Sequence, residues 1–421
     1  MITVDKIIPG GTTLATAPDG KKLFLWGALP GETVLDYNIT KNKSHYTEAI
    51  ATQIANPSPH RVTERDKCYL STSAWQIMDY GYELELKRDL VTELFREHHI
   101  SIPTPEIFTD GKDYFYRNKM EYALYWDNDT NRIELAFHQR GSHRKIPITS
   151  SSIERPEIFK AAAEIIADLN SHHEPARKYQ SLLLRCSQNG TISGGLYENG
   201  RPHPTFKNLT DTILGQEYSY SPNGFFQINL PVYELALTEI KKYITTDEVL
   251  DLYAGVGTIG LSVAPDKQLT LVECNKSAFL ELKRNCIVRS GDPREAVRVT
   301  GVGPLEVERS EDSQGDTRQD PNTSATSHSA RPVLLPSEDA LNYITSSNTV
   351  ILDPPRAGCD RKLIDHLLQV TPPTIIYLSC NPATQARDAA LLLEKYHITA
   401  VHTFNFFPRT PHIENLIVLS L

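Results

Sequence analysis

From Pro231 onward the chain alternates strand-like apolar runs with helix-like segments. The runs are "EVLDLYAG", "LTLVECN", "RPVLLPSED", "NTVILDPPRAG" and "TIIYLSCNP". The segment "PVYELALTEIKKYI", a helix with proline in its first turn, leads into them. Such alternation predicts a doubly wound parallel sheet with helices on both faces. In that architecture ligands sit outside the carboxyl ends of the strands. Glu273, Asp353 and Cys380 all lie at such ends and are expected to share one crevice.

At 421 residues the chain needs more than one core. Residues 1–57 are rich in Thr, Val, Ile and Gly. Their short strands, punctuated by "PGGTT", "PDGKK" and "LPGET", predict a small β-barrel of the oligonucleotide-binding type. Residues 58–224 read as a central α+β domain. It contains an amphipathic helix with Leu86, Leu90, Val91, Leu94 and Phe95 on one face, followed by alternating strands such as "KMEYALYW" and "RIELAFHQ". That helix, taken as 82–105, is a candidate to pack on the following domain, residues 225–421. A polar, acidic stretch at 307–330 lacks the apolar groups for a core and is expected to be a disordered insertion. It contributes to the net charge of −9, so that charge does not argue against an acidic partner.

The six cysteines are widely spaced, with no CxxC pair, which argues against a zinc knuckle or a disulfide framework. No apolar run reaches the ~20 residues of a membrane helix. The start, "MITVDKII", lacks the basic-then-apolar pattern of a signal peptide, so a cytoplasmic protein is expected.

"DLYAGVGTIGL" spells GxGxxG after a strand, with Glu273 closing the next one. A dinucleotide site has this pattern, and so does the S-adenosylmethionine (SAM) site of a Rossmann-like methyltransferase. Simple helix–sheet packing also explains the glycines. Asp251, four residues before the first glycine, suits a cationic methionine moiety better than a pyrophosphate. Glu273 then takes a ribose, and Asp339 of "SED" is a candidate for the adenine edge. Cys380 precedes Asn381, a good N-cap, and Pro382, a good first helical residue. A helix N-terminus favours thiolate there, whereas a packing cysteine needs no such place.

Taken together, "VDKIIPGGTTLA", "YFYRNKMEYAL", "SPNGFFQINLPVYE", "DLYAGVGTIGL", "DPPRAG", "LSCNP" and "FPRTPHIENL" resemble the SAM-dependent RNA 5-methyluridine (uracil-C5) methyltransferases that carry an N-terminal TRAM domain. The resemblance covers nearly the whole chain. It implies an α/β fold: a Rossmann-like methyltransferase domain with an OB-like TRAM barrel and a central α+β domain. Cys380 is then the nucleophile that adds to uracil C6, and Glu414 the base that removes the C5 proton. The cofactor positions fall on Gln227, Asp251, Tyr253, Gly255, Gly257, Thr258, Glu273 and Asp353. Thr258 stands where relatives often have Asn.

RNA is the implied partner, through Arg117, Lys119, Arg140, Arg144 and Lys145. Ribosomal RNA of the large subunit (23S) is favoured over tRNA because of the barrel, and a monomer is expected. Many relatives hold an iron–sulfur cluster on four cysteines. Here Cys68 stands alone in that region, so no cluster and no metal are expected. Two other readings stay open: a non-catalytic RNA-binding relative, and a nicotinamide-dependent oxidoreductase.

Overall fold

A computed structural model describes residues 1–203, 206–290 and 330–421, with the backbone alone at 288–290. Of the expected insertion at 307–330, all but Ala330 lies outside the described residues. Five strands open the chain: β1 (Ile2–Ile7), β2 (Thr13–Thr16), β3 (Lys22–Trp26), β4 (Thr33–Asn42) and β5 (Tyr46–Asn56). They close into a barrel in the order β1-β2-β3-β5-β4. Alternation places Val4, Ala15, Leu23, Leu25, Val34 and Ala49 inside it. Closure leaves no unpaired edge.

After a short helix, α1 (Tyr69–Thr72), comes α2 (Tyr80–Glu97). Asp79 caps α2 by accepting from Tyr82 N. The helix ends at Glu97 rather than near 105. His98 is the C-cap, His99 turns to φ 61°, and Pro103 and Pro105 bar further helix. Helix α2 buries Leu90, Val91 and Phe95 among Leu363, Leu392 and Val401 of the C-terminal domain. Strand β6 (Glu106–Phe108) then joins that domain's sheet.

The central sheet is made of β7 (Lys119–Asp127), β8 (Arg132–His138), β9 (Lys145–Pro147), β10 (Ser181–Cys186), β11 (Ile192–Glu198) and β12 (Arg201–His203). Its order is β12-β11-β10-β7-β8-β9, all antiparallel. Helix α3 (Pro156–Ser171) covers one face through Ile158, Ala162, Ile166 and Leu169. Cys68 and Cys186 are buried in this core. Among the described residues no group of three or more His, Cys, Asp or Glu is placed to hold a metal ion.

The hairpin β13 (Leu209–Ile213) and β14 (Gln216–Tyr220) buries its apolar side in the C-terminal core, while Asp211 accepts from Gln188 N and Arg185 lies over the Tyr220 ring on the central side. Tyr218 hydrogen-bonds Ser262 (2.6 Å), and Tyr220 stacks on Phe226 at 3.9 Å. The hairpin, read with the central domain, thus bridges the two. The β alternation of this hairpin looks the same as that of the central strands.

The C-terminal elements are α4 (Leu230–Lys241), β15 (Glu248–Leu252), α5 (Thr258–Val263), β16 (Gln268–Glu273), α6 (Lys276–Ser290), β17 (Ala330–Leu334), β18 (Asn348–Leu352), α7 (Arg361–Val370), β19 (Thr374–Ser379), α8 (Pro382–Leu392), β20 (His397–Phe404) and β21 (Glu414–Ser420). The sheet order is β17-β16-β15-β18-β19-β21-β20-β6. The first five strands are parallel; β21 runs antiparallel between β19 and β20. Strand order reverses between β15 and β18, and a crevice opens at such a switch point.

Candidate active site

Four strand ends supply the crevice. Asp251 lies in β15, Glu273 closes β16, Asp353 follows β18 and Cys380 follows β19. From the antiparallel neighbour, Ser379 pairs with Asn415, so Cys380 and Glu414 leave their strands side by side.

The glycine loop is built from beneath. Asp251 is fully buried and accepts from Gly260 N (2.8 Å), while its other oxygen has no hydrogen-bond partner among the described residues. A Cβ on Gly260 would lie 2.7 Å from that carboxylate, so only glycine allows the approach. Gly257, at φ 90°, caps α5, and a Cβ there would meet Leu282 at 2.6 Å. Glu273 accepts from Gly255 N (2.8 Å) and Asn275 N. Thr258 shares its hydroxyl with Tyr233 (2.8 Å). Gln227 is buried, its carbonyl held by Asn118 Nδ2 at 3.1 Å.

Tyr253, at φ 65°, faces Ser337, Glu338 and Cys359. Asp339 turns away from the crevice to pair with Lys362 at 3.1 Å. Successive residues of the 3₁₀ turn Ser337–Asp339 point in different directions, so the acid that faces Tyr253 is Glu338. A strand-like reading of "SED" could not show this.

Burial pushes Asp251 up to about 8, with Asp353 and Glu273 adding to it, and pushes Asp353 up to about 7. Glu414 is raised well above the usual carboxyl range by burial and by Asp353, with Arg356 opposing. Burial, Glu414 and Asp353 push Cys380 up to about 11. The helix-terminus argument for a resting thiolate is thus reversed: desolvation and two acids outweigh the N-terminus of α8 and Arg356.

The cap itself is as the residues dictate. Asn381 accepts from Ala383 N (3.3 Å), and its amide donates to Arg356 O (2.8 Å). Behind the pair, Asn415 Nδ2 donates to Gln385 Oε1 (2.8 Å), tying the helix after Cys380 to the strand after Glu414. Burial holds His412 down at about 4, so it is neutral and accepts from Arg356 at 3.2 Å.

Of the basic candidates for a polyanion, Arg144 is exposed and Arg117 and Lys119 are partly so. Lys119 reaches Asn223 O and Gly224 O (3.3 Å each), and burial brings it to about 8. Lys145 donates to Leu124 O at 2.7 Å. Arg140 lies 3.9 Å over the Trp26 ring and donates to Leu70 O, which makes it a fastener between barrel and central domain. Phe225, overlooked in the sequence, stands 73 % exposed beside Gln227.

Residues 339–421, which carry Asp353, Cys380 and Glu414, match the family model for tRNA (uracil-5-)-methyltransferase. Over those residues the chain is similar to the uracil-5 RNA methyltransferases. The chain is 27 % identical to an uncharacterized RNA methyltransferase of Lactobacillus johnsonii, over 95 % of this chain and 92 % of that one. It is also 27 % identical to one of Treponema denticola, over 99 % and 98 %. Its fold matches the crystal structure of Pyrococcus abyssi tRNA (uracil-54, C5)-methyltransferase in complex with S-adenosyl-L-homocysteine. The TM-score is 0.70 at 20 % identity, covering 100 % of both chains.

Proposed function

We propose that this chain methylates C5 of a uridine in RNA, with SAM as methyl donor and Cys380 and Glu414 as the reacting side chains. The observation that carries the reading is the register of β19 and β21, which sets a thiol and a carboxyl side by side at one crevice.

The residues present fit SAM. Asp251, Glu273 and Asp353 lie close enough for their charges to interact, and one Asp251 oxygen lacks a partner among the described residues. Such a site suits a cationic ligand and repels a pyrophosphate, which argues against a dinucleotide. Asp251 and Gly260 hold the loop, Glu273 meets the ribose and Tyr253 lies beside the adenine. Bound there, SAM supplies an electrophilic methyl group.

Uracil C5 is a poor nucleophile until a thiolate adds to C6. Cys380 Sγ forms that bond, and the electron pair released onto C5 takes the methyl. Glu414 then removes the C5 proton, the C5–C6 double bond re-forms and the Cys380 thiolate leaves. A carboxyl raised by burial is the stronger base once charged. Burial and the neighbouring acids favour the Cys380 thiol, so its proton passes to solvent as the substrate and its cationic partner bind, leaving the thiolate that attacks C6.

Arg117, Lys119 and Arg144 are the groups proposed to meet phosphates, and the target base is cheapest to flip from a loop. The barrel favours large-subunit ribosomal RNA. A tRNA substrate is the second reading, supported by the likeness to the P. abyssi tRNA enzyme.

The test is a transcript of each class carrying 5-fluorouridine, incubated with protein and SAM. Fluorine cannot leave as a proton does, so a denaturation-resistant protein–RNA band is expected, absent in Cys380→Ala. SAM binding without a band on any RNA, with RNA binding retained, would make the non-catalytic reading the better one.

A further inference from the structure

Helix α2 carries two ionisable side chains with no exposure, Glu83 and Lys87, 2.9 Å apart. Neither is among the groups that line the crevice. A buried ion pair is weak evidence for stability, because the desolvation of both charges can exceed their attraction. Its partners give it another use. Both Glu83 oxygens accept from Arg409 N at 3.0 Å. Lys87 Nζ donates to Asn405 Oδ1 (2.7 Å) and Phe407 O (3.1 Å).

All of these partners belong to the connection 405–413, which joins β20 to β21 and delivers Glu414. Arg409 stands at φ 62°, a backbone conformation that costs a residue with a side chain, and Glu83 grips its N–H. The same connection is fixed from other sides. Tyr116 OH donates to Pro408 O (2.9 Å), Trp75 N donates to Arg409 O (3.0 Å), and Arg409 itself donates to Met78 O (2.6 Å) and to Asp113. Cys380 enters the site by a different route, from β19 into α8.

We propose that the Glu83–Lys87 pair is a positioning device for the proton-abstraction step. It fixes the connection 405–413 so that Glu414 reaches C5 of the adducted base. This rests on the roles proposed above for Cys380 and Glu414. Neither α2 residue touches the reacting atoms. Its loss therefore acts on one step: the adduct forms normally and resolves slowly.

The decisive variant is Glu83→Leu with Lys87→Met, which removes the pair without leaving a lone buried charge. With a uridine transcript that the wild type methylates, two rates are read on the full chain: formation of the covalent adduct, and its resolution to free methylated RNA. Formation is expected within about threefold of wild type, and resolution slowed roughly tenfold to a hundredfold, the scale of a small misplacement of a reacting group. Methylated adduct should accumulate on ordinary uridine RNA, as it should in Glu414→Gln.

Equal slowing of both rates, or no change in either, overturns the proposal. No accumulation in Glu414→Gln overturns the role of Glu414 and the proposal with it; accumulation in Glu414→Gln alone overturns only the proposal. If thermal unfolding shows the double variant unfolded, Asn405→Ala takes its place. It leaves the ion pair intact, removes the shorter of the two Lys87 contacts to the connection while that to Phe407 O stays, and is read by the same two rates.

Discussion

Cys380 and Glu414 stand one residue beyond the last registered pair of two antiparallel strands, Ser379 and Asn415. The proposed nucleophile and base are thus neighbours through sheet register, and each can be removed without the other. Glu414→Gln is expected to lower turnover about 10²–10⁴-fold, the usual contribution of a placed general base. The methylated adduct should persist on ordinary uridine RNA. Cys380→Ala should give neither adduct nor product. Denaturing gels with labelled RNA and labelled SAM check both.

The thiol offers a pH test. Burial and the neighbouring acids hold Cys380 up at about 11, so its thiolate fraction keeps growing with pH where an ordinary thiol, near ~8.5, has levelled off. Alkylation of Cys380 by iodoacetamide, followed by mass spectrometry, should still be rising at about pH 9–10. A plateau near pH 8 would show that the N-terminus of α8 and Arg356 prevail.

Gln385 and Asn415 are buried and joined to each other, with Gln385 Nε2 also on Tyr377 O (2.8 Å) and Thr403 on Asn415 Oδ1 (2.9 Å). Gln385→Leu leaves Tyr377 O and the Asn415 amide without this partner, which costs about 1–3 kcal/mol per orphaned group. Thermal unfolding should fall by several degrees, and the rate of adduct formation should drop with it.

Glu154 is fully buried beside the Tyr122 hydroxyl, and burial pushes it up to about 8. The folded state therefore keeps a proton that the unfolded chain releases above about pH 4. Stability contributed by this group is full below that pH and is lost as pH rises towards 8. Glu154→Gln should leave the melting temperature nearly unchanged at pH 4–5 and raise stability at pH 8 by on the order of 2 kcal/mol. Scanning calorimetry at the two pH values measures it.

Gly260→Ala brings a methyl group against the Asp251 carboxylate. The strand-to-loop turn must shift, so SAM binding by calorimetry is expected to weaken about tenfold or more, on the scale of an overpacked site.

The alternation from Pro231 onward made the C-terminal sheet legible, because buried parallel strands are continuous apolar runs. The crevice residues followed from their strand ends. What stayed hidden depends on three-dimensional partners. Arg140 reads as a free cation until Trp26 is seen beneath it. Asp339 and Glu338 cannot be told apart without the turn that separates them. Period-2 alternation does not say which core a strand joins, so the packing of the hairpin 209–220 on the C-terminal core stayed hidden. The raised Cys380 thiol was not legible because burial and charge are summed over neighbours far apart in sequence.

Gly11 of the barrel lies so close to Pro411 that a Cβ would come within 2.2 Å of the proline ring. The connection that delivers Glu414 is thereby touched by the barrel as well as by α2 and the central domain. The barrel is consequently not a detachable accessory. A chimera that borrowed a barrel from a distant relative would have to inherit the glycine and the proline as a matched couple.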